Sequence, residues 1–232
     1  MFWWMQMARS SIGAKLVMAL TGILLFGFVI GHLAGNLQVF AGQEQLNTYA
    51  HFIHSKPMLL WLSRLLLLAV VGVHLLTALC LVRRNKEGRP TPYQVQHTEV
   101  ATLASRSMML TGLTVAAYVI YHLAHFTVGA LHSGDFHRVD PQGRHDVYSM
   151  LVLGFQRPSV SILYLAAMLV LGIHLRHGIS SFFQTLGLNH PRYNALLKLL
   201  GPLIATMIVV GYASIPIAVL SGAVALPAGA AR

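Results

Sequence analysis

The chain has 232 residues, of which 56% are apolar and 9% charged, against roughly 45–50% and 25% in an average soluble domain. That excess excludes an ordinary soluble globule, and it excludes a disordered chain, which needs charge to stay solvated. Sixteen Lys and Arg against six Asp and Glu give a formal charge of +10; in a chain this apolar the cations report on the sides of a membrane, not on nucleic acid. One cysteine, Cys80, lies within an apolar run and permits no intrachain disulfide and no cysteine-ligated iron–sulfur or structural zinc site. The unusual number is 13 histidines, more than twice the acids.

Charge-free stretches cover residues 16–43, 65–82, 107–134, 158–175 and 199–231, which are 28, 18, 28, 18 and 33 residues long. A membrane-spanning helix needs about 20 mostly apolar residues. The spacing therefore predicts five helices, near 12–38, 58–83, 101–131, 159–185 and 194–221. The runs are too long for barrel strands and do not alternate. Between Arg176 and Arg192, Gln184, Asn189, His190 and Pro191 predict a helix end and a loop. The turn Arg83–Pro92 is charged and carries proline, and the stretch 132–157 is polar but too short for a domain. No low-complexity tract or strict internal repeat stands out. The expectation is one all-α membrane domain over residues 1–232.

Five spans put the termini on opposite sides. With the N-terminus inside, the inner segments hold ten cations (Arg9, Lys15, Arg83, Arg84, Lys86, Arg89, Arg106, Arg176, Arg192 and Lys198) and the outer segments six. The positive-inside rule favours that orientation, with the C-terminus outside. The first apolar run is too long for a cleavable signal and carries Gly31-His32 where a small-residue cleavage site would fall.

Four histidines lie deep in apolar helices: His32, His74, His122 and His174. An imidazole in lipid needs a partner or a ligand. His32 comes 17 residues after Lys15 and His122 16 after Arg106, about 26 and 24 Å along the helix from the inner edge. His74 comes 17 residues after Pro57 and His174 16 after Pro158, about 26 and 24 Å from the outer edge. The four thus form two pairs at two levels of a core roughly 30 Å thick. Two imidazoles facing each other across a bundle suit a six-coordinate b-type haem, whereas zinc would want three or four protein ligands at one level. Gly31, Gly35, Gly72, Gly172 and Gly178 flank these histidines. Small residues there suit a flat macrocycle, and they equally suit close helix packing. Arg9, Ser10, Ser11, Lys15, Arg106 and Arg176 are candidates for haem propionates on the inside, or ordinary inner-face anchors.

With those residues in place, the chain resembles the single-polypeptide, two-haem b558 type of membrane cytochrome b subunit of succinate dehydrogenase/fumarate reductase. The resemblance is carried by SSIGAKLVMALTG (10–22), GHLAGNL (31–37), YHLAHFTVG (121–129), VYSMLVLGFQRPSVSILYL (147–165), HLRHGISSFFQTLGLNHPRY (174–193) and SIPIAVLSG (214–222). It covers nearly the whole chain, and the block from His174 to Tyr193 is its most specific part. The resemblance implies an integral bundle of five transmembrane helices enclosing two b haems, with one ligand on each of the first four helices. Carried over, His32 and His122 match the ligands of the distal haem, and His74 and His174 match those of the haem nearer the partner subunits. His125 competes with His122, and His177 with His174, each from about one turn away.

The resemblance also implies partners and a place: a flavoprotein subunit and an iron–sulfur subunit on the inner face of a bacterial-type cytoplasmic membrane. Electrons would pass through this anchor to a membrane quinone, menaquinone or ubiquinone. The chain itself carries no dinucleotide fingerprint or cysteine cluster, so dicarboxylate chemistry belongs to the partners. Quinone chemistry needs proton donors. Glu44, Asn47, Tyr49 and His51 offer them outside, or are plain interfacial polar residues; Ser11, Lys15 and Arg106 are the inner alternative. An outer site would carry electrons across the membrane potential. Rival readings are the di-haem quinone cytochrome of another respiratory oxidoreductase, such as a nitrate reductase subunit with its histidines on only two helices, and a haem-free histidine proton-relay transporter.

Overall fold

A computed structural model describes residues 10–88, 106–188 and 190–227. Helix α1 runs Ser11–Asn36 and passes into a tight turn, Leu37–Ala41. It stops at Gly42, whose φ of 94° and ψ of 176° lie where only glycine sits without strain. Helix α2 is Gln43–His54, α3 Pro57–Glu87, and α4 Met108–His122, continued by a wide π-type turn, Leu123–Thr127. Then come α5 (Ser133–Phe136), α6 (Val147–Phe155), α7 (Pro158–Thr185) and α8 (Pro191–Leu220). No strand occurs among the described residues; Val139 and His145 make a single isolated bridge.

Five helical stretches of 31, 31, 20, 28 and 29 residues are long and apolar enough to cross a membrane. At 1.5 Å per residue even the shortest reaches about 30 Å. Their side chains fit lipid: Met58, Leu62, Leu66 and Leu76 of α3 are all exposed, a patch that a water-soluble surface does not carry. The chain is an all-helical, multi-pass membrane protein.

The helix ends have local causes. Ser10 accepts the amide of Gly13 at 2.9 Å and caps α1. α3 extends a turn beyond the expected 83, with Arg83 bonded to Glu87 at 2.7 Å four residues on. At the start of α8, the ring of His190 accepts the amide of Arg192, and the side chain of Asn194 accepts that of His190. Proline at the first helical position loses no bond. Pro202 and Pro216 lie inside α8 without ending it. The third helix is shorter than the expected 101–131. Its first residues, 101–105, lie outside the described residues, and it leaves helical geometry after Thr127. There Gly129 takes φ 71°, with the ring of Phe136 standing where a Cβ would be.

Two elements depart from the reading of 132–157 as a polar loop and of 42–55 as an unassigned segment. α2 is amphipathic and buries Leu46 and Asn47. α6 is nine residues long and almost wholly buried. Too short to span, it serves as a core helix.

The chain divides into two compact units, and the division falls within each of the five long helices. One unit takes residues 1–29, 63–112 and 173–205; the other takes 30–62, 113–172 and 206–232. The second holds the main apolar core, where Val39, Leu46, Val152, Phe155, Tyr164, Ile215 and Val219 pack together.

Candidate functional site

In the unit built from 30–62, 113–172 and 206–232, α1 brings His32 to His122 of α4. The rings meet edge to face, 5.8 Å between centroids and 81° between planes. Two facing imidazoles are the donor set that a bis-histidine haem would take. Asn36, one turn along, donates to His32 Nε2 at 3.2 Å, so that nitrogen carries a lone pair. From α8, Tyr212 flanks His32 at 6.2 Å. A Cβ on the neighbouring Gly211 would stand 2.9 Å from Leu33, so α8 approaches α1 this closely because residue 211 has no side chain.

His122 and His125 have different neighbours. His125 is 3% exposed, stacks on Phe126 at 3.9 Å and lies against Gly154, where an added Cβ would stand 3.2 Å from its Cε1. The hydroxyl of Tyr164 is 3.1 Å from His125 Nδ1 and 3.3 Å from His122 Nδ1. The π-type turn that begins right after His122 spaces the two rings differently from a regular helix. His125 is thus a packed core side chain, while His122 faces His32.

The other unit holds His74 of α3 and His174 of α7. Each meets a threonine of a different helix: Thr21 Oγ1 is 2.9 Å from His74 Nδ1, and Thr111 Oγ1 is 3.3 Å from His174 Nδ1. A glycine follows each threonine. A Cβ on Gly22 would stand 3.6 Å from His74 Cε1, and one on Gly112 3.3 Å from His174 Cε1. His177 is half-buried one turn from His174.

The two threonines escaped the reading of the sequence, and so did an internal repeat. Leu-Thr-Gly occurs at 20–22 and at 110–112, and in each case histidine follows ten residues after the glycine, at His32 and His122. Gly-x-His likewise occurs at 72–74 and 172–174. The repeat is a few residues in long apolar runs, and only the hydrogen bonds reveal which of them count.

The donor set fits a bis-histidine haem at each pair. Gly27, Gly31, Gly72 and Gly178 have open space where a Cβ would be, and Gly27 and Gly31 are exposed. Among the described residues no three His, Cys, Asp or Glu side chains converge to hold a metal ion. Of the propionate candidates, Ser11, Lys15, Arg106 and Arg176 are exposed and belong to the unit of His74 and His174. Ser10 belongs there too, and its carbonyl accepts Arg84 at 3.1 Å. Arg9 lies outside the described residues.

The segment 42–55 separates into structural and open groups. Asn47 is fully buried. Its amide donates to Asp140 (3.2 Å) and Asp146 (2.9 Å), and its carbonyl accepts the amide of Tyr148 at 3.0 Å. Glu44 is exposed and pairs with Arg144 at 2.8 Å; Arg144 also bonds Asp140 at 2.7 Å. Hydrogen bonds from Arg144 and then Thr48 hold the Glu44 carboxyl below its ordinary range. Burial pushes Asp140 upward, but donation from the Arg144 backbone and side chain and from Asn47 outweighs it and leaves the carboxyl low. Asp146 is held low against its burial by Ser149, Asn47 and Gln43. These groups latch the 139–146 loop onto α2. Tyr49 leans on α1, its hydroxyl 2.8 Å from where a Cβ of Gly35 would be. His51 lines a cavity of about 520 Å³ with His54, Arg144 and His145.

No family model, curated protein or solved structure matches the chain.

Proposed function

We propose that this protein is the di-haem cytochrome b membrane anchor of a succinate dehydrogenase/fumarate reductase, carrying electrons between an iron–sulfur subunit and a membrane quinone. The observation that carries this is the sorting of four intramembrane histidines, one from each of four helices, into two pairs in two separate units. The His32–His122 ring distance of 5.8 Å supports it, and the long resemblance from His174 to Tyr193 supplies the family.

In this reading His32 and His122 hold one b haem and His74 and His174 the other. When bound, the haems supply one-electron steps between the iron–sulfur partner and a two-electron quinone. Lys15, Arg106 and Arg176 offer positive charge for propionates. A flavoprotein and an iron–sulfur subunit dock on the inner face, where the cations concentrate, and the N-terminus faces that side. The quinone, menaquinone or ubiquinone, binds outside. Asn47 and Glu44 are committed to the latch, so Tyr49 and His51 are the side chains to move its protons. Electrons entering inside and leaving outside cross the membrane potential, worth roughly 2.3 kcal/mol per charge per 100 mV.

The test is a reduced-minus-oxidised spectrum of the purified complex with haem quantified per chain. About two b haems are expected, and a chain without haem sinks the reading. Reconstituted vesicles should build a potential during turnover; none would sink the outer quinone site.

A further inference from the structure

We propose that Thr21 and Thr111 are matched positioning residues, which fix the tautomer of His74 and His174 and set the electron donation of each ring to its iron. The proposal rests on the two-haem reading and says how one of the two haems is tuned.

Thr21 Oγ1 is 2.7 Å from the carbonyl of Val17 and 2.9 Å from His74 Nδ1. In the proposed arrangement the single hydroxyl proton goes to the Val17 carbonyl, which can only accept. The oxygen's lone pair then faces His74, whose Nδ1 donates to it. Nε2 is left deprotonated, with its lone pair available to a metal. Thr111 repeats the arrangement: Oγ1 donates to the carbonyl of Ser107 at 3.0 Å, and the same oxygen faces His174 Nδ1 at 3.3 Å. Both threonines are buried, at 8% and 6% exposure. Water therefore does not compete for the bond.

A hydrogen-bond acceptor on the far nitrogen of a metal-bound imidazole locks its orientation and raises its basicity. Here the acceptor comes from a different helix than the ligand, α1 for α3 and α4 for α7, so each bond also ties a ligand helix to its neighbour. Gly112, next to Thr111, leaves room for the His174 ring: a Cβ there would make a tight 3.3 Å contact with Cε1, whereas at Gly22 the contact with His74 would be an ordinary 3.6 Å. The Leu-Thr-Gly repeat at 20–22 and 110–112 is then a device used twice around one haem.

The test uses the complete complex bearing Thr21→Val, Thr111→Val, Thr21→Ser or Thr111→Ser. Readouts are haem per chain, midpoint potentials resolved for each haem, the low-spin electron paramagnetic resonance signals, and haem transfer to apomyoglobin. Valine keeps the shape and removes the acceptor. The expected result is that one haem's potential rises and its low-spin signal moves while the other stays put, with retention of that haem weakened about 10–100-fold. Serine restores the acceptor and should restore wild-type values. Two haems with unchanged potentials, signals and retention in both valine variants overturn the proposal and leave the di-haem reading intact. A wild-type complex without haem overturns both. If a valine variant does not assemble, the serine variant decides: wild-type values with serine support the proposal, and failure with serine overturns it.

Discussion

Asn47 donates its amide to Asp146 at 2.9 Å, although 99 residues of chain separate them. The same amide reaches Asp140, and the Asn47 carbonyl takes the amide of Tyr148. One buried side chain thus fixes the loop before α6 and the first turn of α6 against α2. Asp146 also caps α6 through the amide of Ser149 at 3.1 Å.

Replacing Asn47 with alanine strands these groups where water does not reach. A buried polar group without its partner costs about 1–3 kcal/mol, and more when charged. Asn47→Ala should lose about 2–4 kcal/mol of stability, read as a lower unfolding midpoint in detergent. A change under about 0.5 kcal/mol would mean the latch is dispensable.

The latch also predicts a pH dependence and its sign. Asp140 and Asp146 have folded values below the ordinary carboxylate range. A carboxylate of that kind adds stability that is fully present above its unfolded value, about 3.9, and is lost as pH falls through the folded value. The 139–146 loop should therefore stay protected from pH 8 to 5 and open only below about pH 4. Amide exchange or limited proteolysis across that range checks it. Opening that begins near pH 6 would place the control elsewhere.

The five long helices were legible because lipid imposes a simple demand, about 20 residues without charge, and the charge gaps report it directly. Pro158 and Thr185 fall within one residue of the expected ends of the fourth helix. α6 was not legible. Nine mostly apolar residues in a polar stretch are too few to span, and their burial comes from Val39, Leu46 and Val219, far away in sequence. The roles of Glu44 and Asn47 were hidden for the same reason. A carboxylate and an amide at a membrane edge look like proton-handling groups until Arg144, Asp140 and Asp146 close on them. The histidine pairs could be drawn from depth alone, because helix rise is constant. Their threonine partners could not, since a threonine in an apolar helix commonly satisfies itself on its own backbone.

His122 and His125 should separate cleanly. His122 faces His32, while His125 is enclosed by Phe126, Gly154 and Tyr164. On the proposed two-haem reading, His122→Ala should remove one haem and keep the other. His125→Asn keeps a hydrogen-bonding side chain of smaller volume; it should retain both haems and lower stability by about 1–3 kcal/mol. Haem counts with the two outcomes exchanged would make His125 the ligand.

Tyr164 links those rings through one hydroxyl, 3.1 Å from His125 Nδ1 and 3.3 Å from His122 Nδ1. The hydroxyl has one proton, so it donates to one ring and accepts from the other. With His122 as the haem ligand, its Nδ1 proton goes to the phenol and the phenol proton to His125. Tyr164→Phe keeps the ring packing against Tyr118 and Phe155, at 5.3 and 5.0 Å, and deletes only the oxygen. His122 then loses its acceptor and donates less to the iron. The haem it shares with His32 should rise in midpoint potential while the other haem stays unchanged, with a stability loss of about 1 kcal/mol. The doubly substituted Tyr164→Phe, His125→Asn protein should show the same shift as Tyr164→Phe alone, because both reach His122 through the one hydroxyl. A redox titration in which Tyr164→Phe moves neither haem would show that the phenol holds His125 only.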